Sequence, residues 1–142
     1  MSTEANKQLV QRLFKDIDAV SPTLPRDFFD PAYVDHTPPI PDLPPGLDGA
    51  RQIYAINQQA FSDPWHTIEG QVAEGDLVVT WLTAGGRRTG ELLGVQATGK
   101  EVSMRGISIF RVVDGKIVSR WGDSDLLGLF VQLGAISPPG AS

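Results

Sequence analysis

The first apolar stripe of the chain has helical spacing. Leu9, Val10, Leu13, Phe14 and Ile17 recur at intervals of three and four, which gathers them on one face. Ser2 or Thr3 precedes the stripe as a cap, although Thr3 has no Glu at the spacing of a full capping box. Ser21-Pro22 is expected to end the helix. A second helical pattern opens at Asp48 or Gly49 and runs to about Phe61. It gathers Ile53, Ile56, Asn57, Ala60 and Phe61 on one face with Tyr54 beside it, and Asp63-Pro64 is expected to stop it.

From Trp65 onward the pattern is that of strands. Glu74-Gly75-Asp76 reads as a turn before a strand from Leu77 to Thr83, and Gly85-Gly86 reads as a second turn. Glu91 to Val95 is expected as a short strand, Ala97 to Lys100 as a turn, and Val102 to Val113 as a long strand. Asp114-Gly115 is a strong two-residue hairpin signal, with Ile117 to about Asp123 returning. Leu126 to Leu133 forms a short apolar helix, capped by Asp123 or Ser124 or else by Asp125. The tail, 137–142, should fray.

Between the two long helices lie eight prolines: Pro22, Pro25, Pro31, Pro38, Pro39, Pro41, Pro44 and Pro45. Each removes an amide donor and fixes its own φ, so neither a regular helix nor a central strand can pass through. Phe28, Phe29, Tyr33 and Val34 should anchor this stretch in the core as a rigid loop lying over a site. Helices first and an antiparallel meander afterwards make an α+β domain, helices packed on one face of a curved sheet. The whole of 1–142 is expected to be one such domain. A concave sheet face that the helices do not fill becomes a pocket.

The hairpin turn sets a side-chain parity. An unbroken register from Asp114-Gly115 pairs Phe110 with Ser119, Ser108 with Trp121 and Gly106 with Asp123. One face then carries Met104, Ser108, Phe110, Trp121 and Asp123, and Asp125 joins it if the strand stays extended. The other carries Arg105, Ile107, Ile109, Arg111 and Arg120. A carboxylate beside Trp, Met and Phe on a concave apolar face would be poorly solvated, the setting of a general acid or base.

Composition narrows the chemistry. The chain has 142 residues, no Cys, two His and a net charge of −5. Without Cys there is no disulfide framework, thiolate nucleophile or Cys-ligated metal. The acidic balance argues against a nucleic-acid surface. No apolar run approaches the roughly 20 residues that span a bilayer, and the polar N-terminus lacks a signal stretch, so a cytoplasmic protein without a membrane partner is expected. His36, in Tyr33-Val34-Asp35-His36, is either oriented by Asp35 for chemistry or a surface turn residue. His66 is expected to be structural, with Trp65 or Ile68 as the core contact. Their separation fits no metal-binding spacing, and no metal is expected. Arg87-Arg88 reads either as a solvated hairpin tip or as an electrostatic hold on an acidic or enolic ligand. No nucleotide-binding glycine loop or serine nucleophile elbow is present.

Several segments in order carry a resemblance: Tyr33-Val34-Asp35-His36, Val72-Ala73-Glu74-Gly75-Asp76-Leu77, Gly90-Glu91-Leu92-Leu93-Gly94, Gly106-Ile107-Ser108-Ile109-Phe110-Arg111, Trp121 with Asp125, and Gln132-Leu133-Gly134. With these the chain resembles the SnoaL-like polyketide cyclases of the NTF2-like superfamily, which have a cone-shaped α+β fold. The resemblance implies a cofactor-independent intramolecular aldol condensation that closes a ring on an apolar or aromatic carbonyl compound. It matches Asp125 to the acid/base Asp and His36 to a pocket His, with Asp123 a second carboxylate. Trp121, Phe110, Met104, Ser108, Tyr33, Tyr54, Phe61 and Arg88 would line the substrate site. Where the family often shows Gly-Thr-His-Thr-Gly, this chain reads Gly86-Arg87-Arg88-Thr89-Gly90, and Arg88 can donate hydrogen bonds but cannot accept a proton. The family fold often pairs through its sheet, so a homodimer or higher homo-oligomer is expected, with Trp81 and the Arg105/Ile107/Ile109 face as candidate interface. Two alternatives stay open. One is a non-catalytic ligand-binding or dimerisation module. The other is a hydrolase resembling limonene epoxide hydrolase, which needs an Asp-Arg-Asp set that Val79 to Thr83 does not supply.

Overall fold

A computed structural model describes residues 2–19, 23–92, 94–138 and 140. Helix α1 (Thr3–Asp18) starts where the Ser2 hydroxyl accepts the Ala5 N–H, and it buries Leu9, Val10 and Leu13. Its expected stop at Ser21-Pro22 lies outside the described residues. Helix α2 (Leu47–Ala60) begins one residue earlier than expected and buries Tyr54 and Ala60. Helix α3 (Leu126–Gln132) follows the last strand and buries Leu129.

The five strands are β1 (Phe29–Asp35), β2 (Phe61–Glu74), β3 (Leu77–Arg88), β4 (Glu101–Val113) and β5 (Lys116–Ser124). They form one open, mixed sheet in the order β1-β5-β4-β3-β2, with β1 parallel to β5 and the others antiparallel. This is the α+β architecture expected from helices followed by a meander.

The proline-rich stretch is the first correction. It is not loop throughout, because Phe29–Asp35 pairs with β5. Pro31 is tolerated because β1 is the sheet edge, where a missing N–H breaks no ladder on the open side. The aromatic anchors hold: Phe29 and Tyr33 are buried with ring centroids 4.9 Å apart.

Asp63-Pro64 does not end a helix. It forms a bulge inside β2, between the pairs Ser62–Arg87 and Trp65–Gly85, with Asp63 at φ 50°. Gly85-Gly86 does not turn the chain either, and β3 runs through it to Arg88. A Cβ on Gly85 would overlap the Trp65 ring and come within 2.6 Å of the Val102 carbonyl oxygen. Glycine here makes room for close approach rather than a bend. Of the strand expected at Glu91 to Val95, the described residues form one bridge, between Leu92 and Val95, while Leu93 lies outside the described residues; an irregular return to Glu101 follows.

The Asp114-Gly115 hairpin has positive φ at both residues, 51° and 75°, the signature of a type I′ turn. Val113–Lys116 and Val112–Ile117 pair as expected. The register then slips, since Arg111 pairs with Ser119 and Phe110 with Arg120. Val118 is an extra residue, a bulge that exchanges the two faces of β5 from that point on. Trp121 therefore pairs with Ile109 and Asp123 with Ile107 on the outer face, while Arg120 and Ser124 turn to the inner one.

The core lies between the helices and the inner sheet face. One cluster joins Leu9, Val10 and Leu13 to Phe29, Tyr33, Tyr54, Val78, Phe110, Val112 and Ile117. A second joins Ala60, Leu92, Val102, Leu129 and Leu133. On the outer face Val72, Trp81 and Ile107 are exposed. No helix among the described residues is long and apolar enough to cross a membrane.

Candidate functional site

Where the helices leave the inner sheet face uncovered, a cavity of about 390 Å³ remains. That volume lies in the range of small-molecule sites, roughly 300–1,000 Å³. Its walls are mostly apolar: Phe14 and Ile17 from α1, Ile53 and Ile56 from α2, Leu82 from β3 and Leu129 from α3. Of the residues expected to line a substrate site, Tyr33, Tyr54, Phe61, Met104, Ser108 and Phe110 are all on this wall. The inner parity of β4 brings Met104, Ser108 and Phe110 there, since even-numbered residues from Val102 to Val112 face the helices.

One ion pair is set into the apolar wall. Asp35 and Arg120 are paired positions of β1 and β5, and the Arg120 guanidinium lies 3.1 and 3.3 Å from the two carboxylate oxygens. A second Arg120 nitrogen reaches the Ser108 hydroxyl oxygen at 3.3 Å. Asp35 is only 8% exposed, and it also accepts the Thr37 N–H at 3.0 Å. Burial and the Asp35 charge raise the Tyr33 phenol pKa, against a smaller lowering by Arg120, so Tyr33 is a neutral donor at neutral pH. Burial likewise raises that of Tyr54.

A second polar group on the wall is His66. It pairs with Ala84, opposite Met104, and so faces inward. Trp65 faces outward instead, its indole N–H donating to Glu101 at 3.1 Å. Of the two expected core contacts, Trp65 is thus overturned, while Ile68, opposite Leu82, shares the inner parity with His66. The His66 ring meets Asp18, with Nδ1 and a carboxylate oxygen 2.5 Å apart.

The remaining expected residues lie elsewhere. His36 is exposed and stacks on Trp121, centroids 4.6 Å apart and planes within 9°. Asp35 is engaged with Arg120 rather than with His36. Asp123 is exposed on the outer face, so the desolvated setting expected for it is absent. The N-cap of α3 is Asp125, not Asp123 or Ser124: its carboxylate accepts the Gly128 N–H at 2.9 Å. Asp125 is exposed and stands between Ser124 and Leu126, both of which line the cavity.

Arg88 is not at an exposed tip. It is 0% exposed and hydrogen-bonds the carbonyl oxygens of Gly90, Val95 and Gln96, with its guanidinium 5.8 Å from the Phe61 ring centroid. Burial lowers its pKa. Phe61 lines the cavity and Arg88 does not.

Arg120, His66 and Asp18 are polar residues that sequence reasoning did not place in a site, and Asp35 entered it only as a partner for His36. The bulge at Val118 hid Arg120. A legible signal did exist for His66, because it shares strand parity with Ile68. Among the described residues no group of three or more His, Asp or Glu side chains is arranged to hold a metal.

A model of the SnoaL-like polyketide cyclase family matches residues 8–133. Aklanonic acid methyl ester cyclase DnrD from Streptomyces peucetius is 31% identical over 140 residues, covering 94% of this chain and 92% of the relative. Nogalonic acid methyl ester cyclase from Streptomyces nogalater is 28% identical, covering 82% of this chain and 84% of the relative. Among solved structures, TsrD from Streptomyces laurentii superposes with a TM-score of 0.84 at 30% identity, covering 96% of this chain and 99% of its own.

Proposed function

The chain belongs to the SnoaL-like polyketide cyclase family, and on that premise we propose that it closes a ring on a polycyclic aromatic keto ester by an intramolecular aldol step without a cofactor. The observation that carries this reading is the apolar cavity with one paired guanidinium in its wall. Flat aromatic substrate fits between Phe14, Phe61, Met104 and Phe110. Arg120 is the donor for the oxygen on which negative charge develops when an enolate carbon attacks a ketone. Asp35 and Ser108 hold that guanidinium in one orientation, so little reorganisation is needed at the moment of reaction.

The resemblance makes Asp125 an acid/base residue, and we keep it in that role at the cavity rim. It stands between two wall residues and is open to solvent. There it can pass a proton between water and the substrate oxygen. No step is assigned to His36, Asp123 or Trp121, because the stack and the exposed carboxylate lie on the outer face. Arg88 supports Phe61 rather than touching substrate.

The test is ring closure of nogalonic acid methyl ester and aklanonic acid methyl ester by the purified chain in the presence of EDTA. Wild type should turn over at least one of them. Asp125→Asn should lose at least about 100-fold in rate with its thermal midpoint near wild type, because Asn caps a helix as well as Asp does. Binding without turnover would replace the enzyme by a ligand-binding module. Full activity in Asp125→Asn would remove Asp125 from the chemistry.

A further inference from the structure

Helix α3 has a glycine where alanine would hold the helix better. Gly128 lies inside a helix of seven residues and is not among the glycines at positive φ, so its backbone is open to any L-residue. Glycine there loses more backbone freedom on folding than alanine does. What it supplies is empty space. A Cβ at 128 would overlap Oδ2 of Asp125 and lie 2.8 Å from its Cγ. We propose that Gly128 is the positioning residue for Asp125: the missing side chain leaves the space in which the carboxylate is held at the cavity rim. The inference rests on the acid/base reading of Asp125 above and deepens it by naming what aims that carboxylate.

A helix cap alone does not call for glycine. Helix α1 is capped at the same spacing, with the Ser2 hydroxyl accepting the N–H of the third helical residue, and that residue is Ala5. A side chain at this position normally clears the cap, and the capping box even places Glu or Gln there. The difference lies in the backbone. Ser2 is extended, at ψ 157°, whereas Asp125 is at ψ 70°, outside the extended region usual for a cap. That turn lays the carboxylate across the space a side chain at 128 would take.

The rest of Asp125 is tied down. Its N–H donates to the Arg105 carbonyl oxygen of β4 at 3.0 Å, and its own carbonyl oxygen accepts the Leu129 N–H at 3.1 Å. At the far end of α3 the Gln132 side-chain amide accepts the Ser103 N–H at 3.0 Å and donates to the Ser103 carbonyl oxygen at 2.8 Å. With helix and strand joined at both ends, the freedom left to the carboxylate is rotation about its own side-chain bonds. Gly128 governs that rotation. Its N–H donates to Oδ1 at 2.9 Å, and among the described residues no other side chain is bonded to the Asp125 carboxylate. A group that must meet one substrate oxygen gains from a fixed orientation, because a displacement of about 1 Å can cost about 10²-fold in rate.

The test compares Gly128→Ala, Asp125→Asn and the double variant in ring closure of the two keto esters, with thermal midpoints alongside. In Gly128→Ala a lost cap and a gained helix propensity act in opposite directions at similar size, so the midpoint should stay within a few degrees of wild type. Its kcat should fall at least about tenfold with KM within threefold, because the apolar walls that hold the substrate are untouched. In the Asp125→Asn background the same substitution should change kcat by less than threefold, because it acts through a carboxylate that is no longer there. An equal loss in both backgrounds would overturn the proposal. So would a kcat within threefold of wild type in Gly128→Ala while Asp125→Asn is slow. Wild-type kcat in Asp125→Asn would instead sink the acid/base reading and this inference with it. If Gly128→Ala does not fold, the side-chain NMR couplings of Asp125 in wild type decide. A single χ1 rotamer is expected, and averaging over several would overturn the proposal.

Discussion

Arg88 and Arg120 both point into the space between the helices and the inner sheet face, and they end in opposite company. Arg120 finds a carboxylate, Asp35, and a hydroxyl, Ser108, on the wall of the cavity. Among the described residues Arg88 has only backbone carbonyls and the Phe61 ring, and one of its terminal nitrogens has no partner there. Burial lowers the Arg88 pKa, yet a guanidinium does not give up its proton in a protein. Its charge is therefore held by the chain excursion from Gly90 to Gln96 that it ties down. A buried cation serves the fold when its donors are spent on backbone, and can serve chemistry when a neutralised, oriented pair meets a cavity.

The largest expected effect separates the two arginines. Arg120→Lys keeps the charge and loses the planar fork that Asp35 and Ser108 orient. Ring closure should fall about 10²–10³-fold, the scale of removing one preorganised oxyanion donor, in initial-rate measurements on the same keto esters. A rate within threefold of wild type would mean that Arg120 is a structural partner of Asp35 alone.

Arg88→Lys should show the reverse. Lysine is shorter and lacks the Nε–H and the planar fork that bond the Gly90, Val95 and Gln96 carbonyls, and a carbonyl oxygen left unpaired costs about 1–3 kcal/mol. We expect a thermal midpoint several degrees lower and a rate per folded molecule within threefold of wild type. A large loss of rate with an unchanged midpoint would bring Arg88 into the substrate site.

The smallest effect concerns Tyr33, beside the Asp35–Arg120 pair. Its folded pKa is raised from 10.0 by burial and by Asp35. The unfolded chain therefore loses the phenol proton first as pH rises. The contribution to stability is complete below about pH 10 and declines above it. Tyr33→Phe should flatten the fall of the midpoint between about pH 10 and 12. A fall as steep as in wild type would assign the alkaline loss to other groups, Tyr54 among them, whose pKa burial also raises.

Much of the fold was written in local pattern. The α1 stripe, the Gly75-Asp76 turn, the Asp114-Gly115 hairpin and the apolar α3 each depend on neighbours within a few residues, where spacing and turn chemistry act. So did the β4 side of the cavity, because Met104, Ser108 and Phe110 alternate without interruption. The misreadings share one physical origin. A bulge is a decision about pairing with another strand, and Val118 carries no mark that it will be the unpaired residue. One extra residue moved Trp121 and Asp123 outward and Arg120 inward. Likewise, Gly85 looks like a turn until the Trp65 ring occupies the space beside it.

By itself, then, the sequence determined the fold class, the family, the inner face of β4 and a chemistry limited to carboxylates, imidazoles and guanidinium. Only the tertiary structure decided which of them meet. Asp35 and Arg120 are 85 positions apart, and Asp18 and His66 are 48 apart. Periodicity within one element carries no information about a partner that far along the chain. Sheet register and helix packing do, because they determine which side chains share a wall.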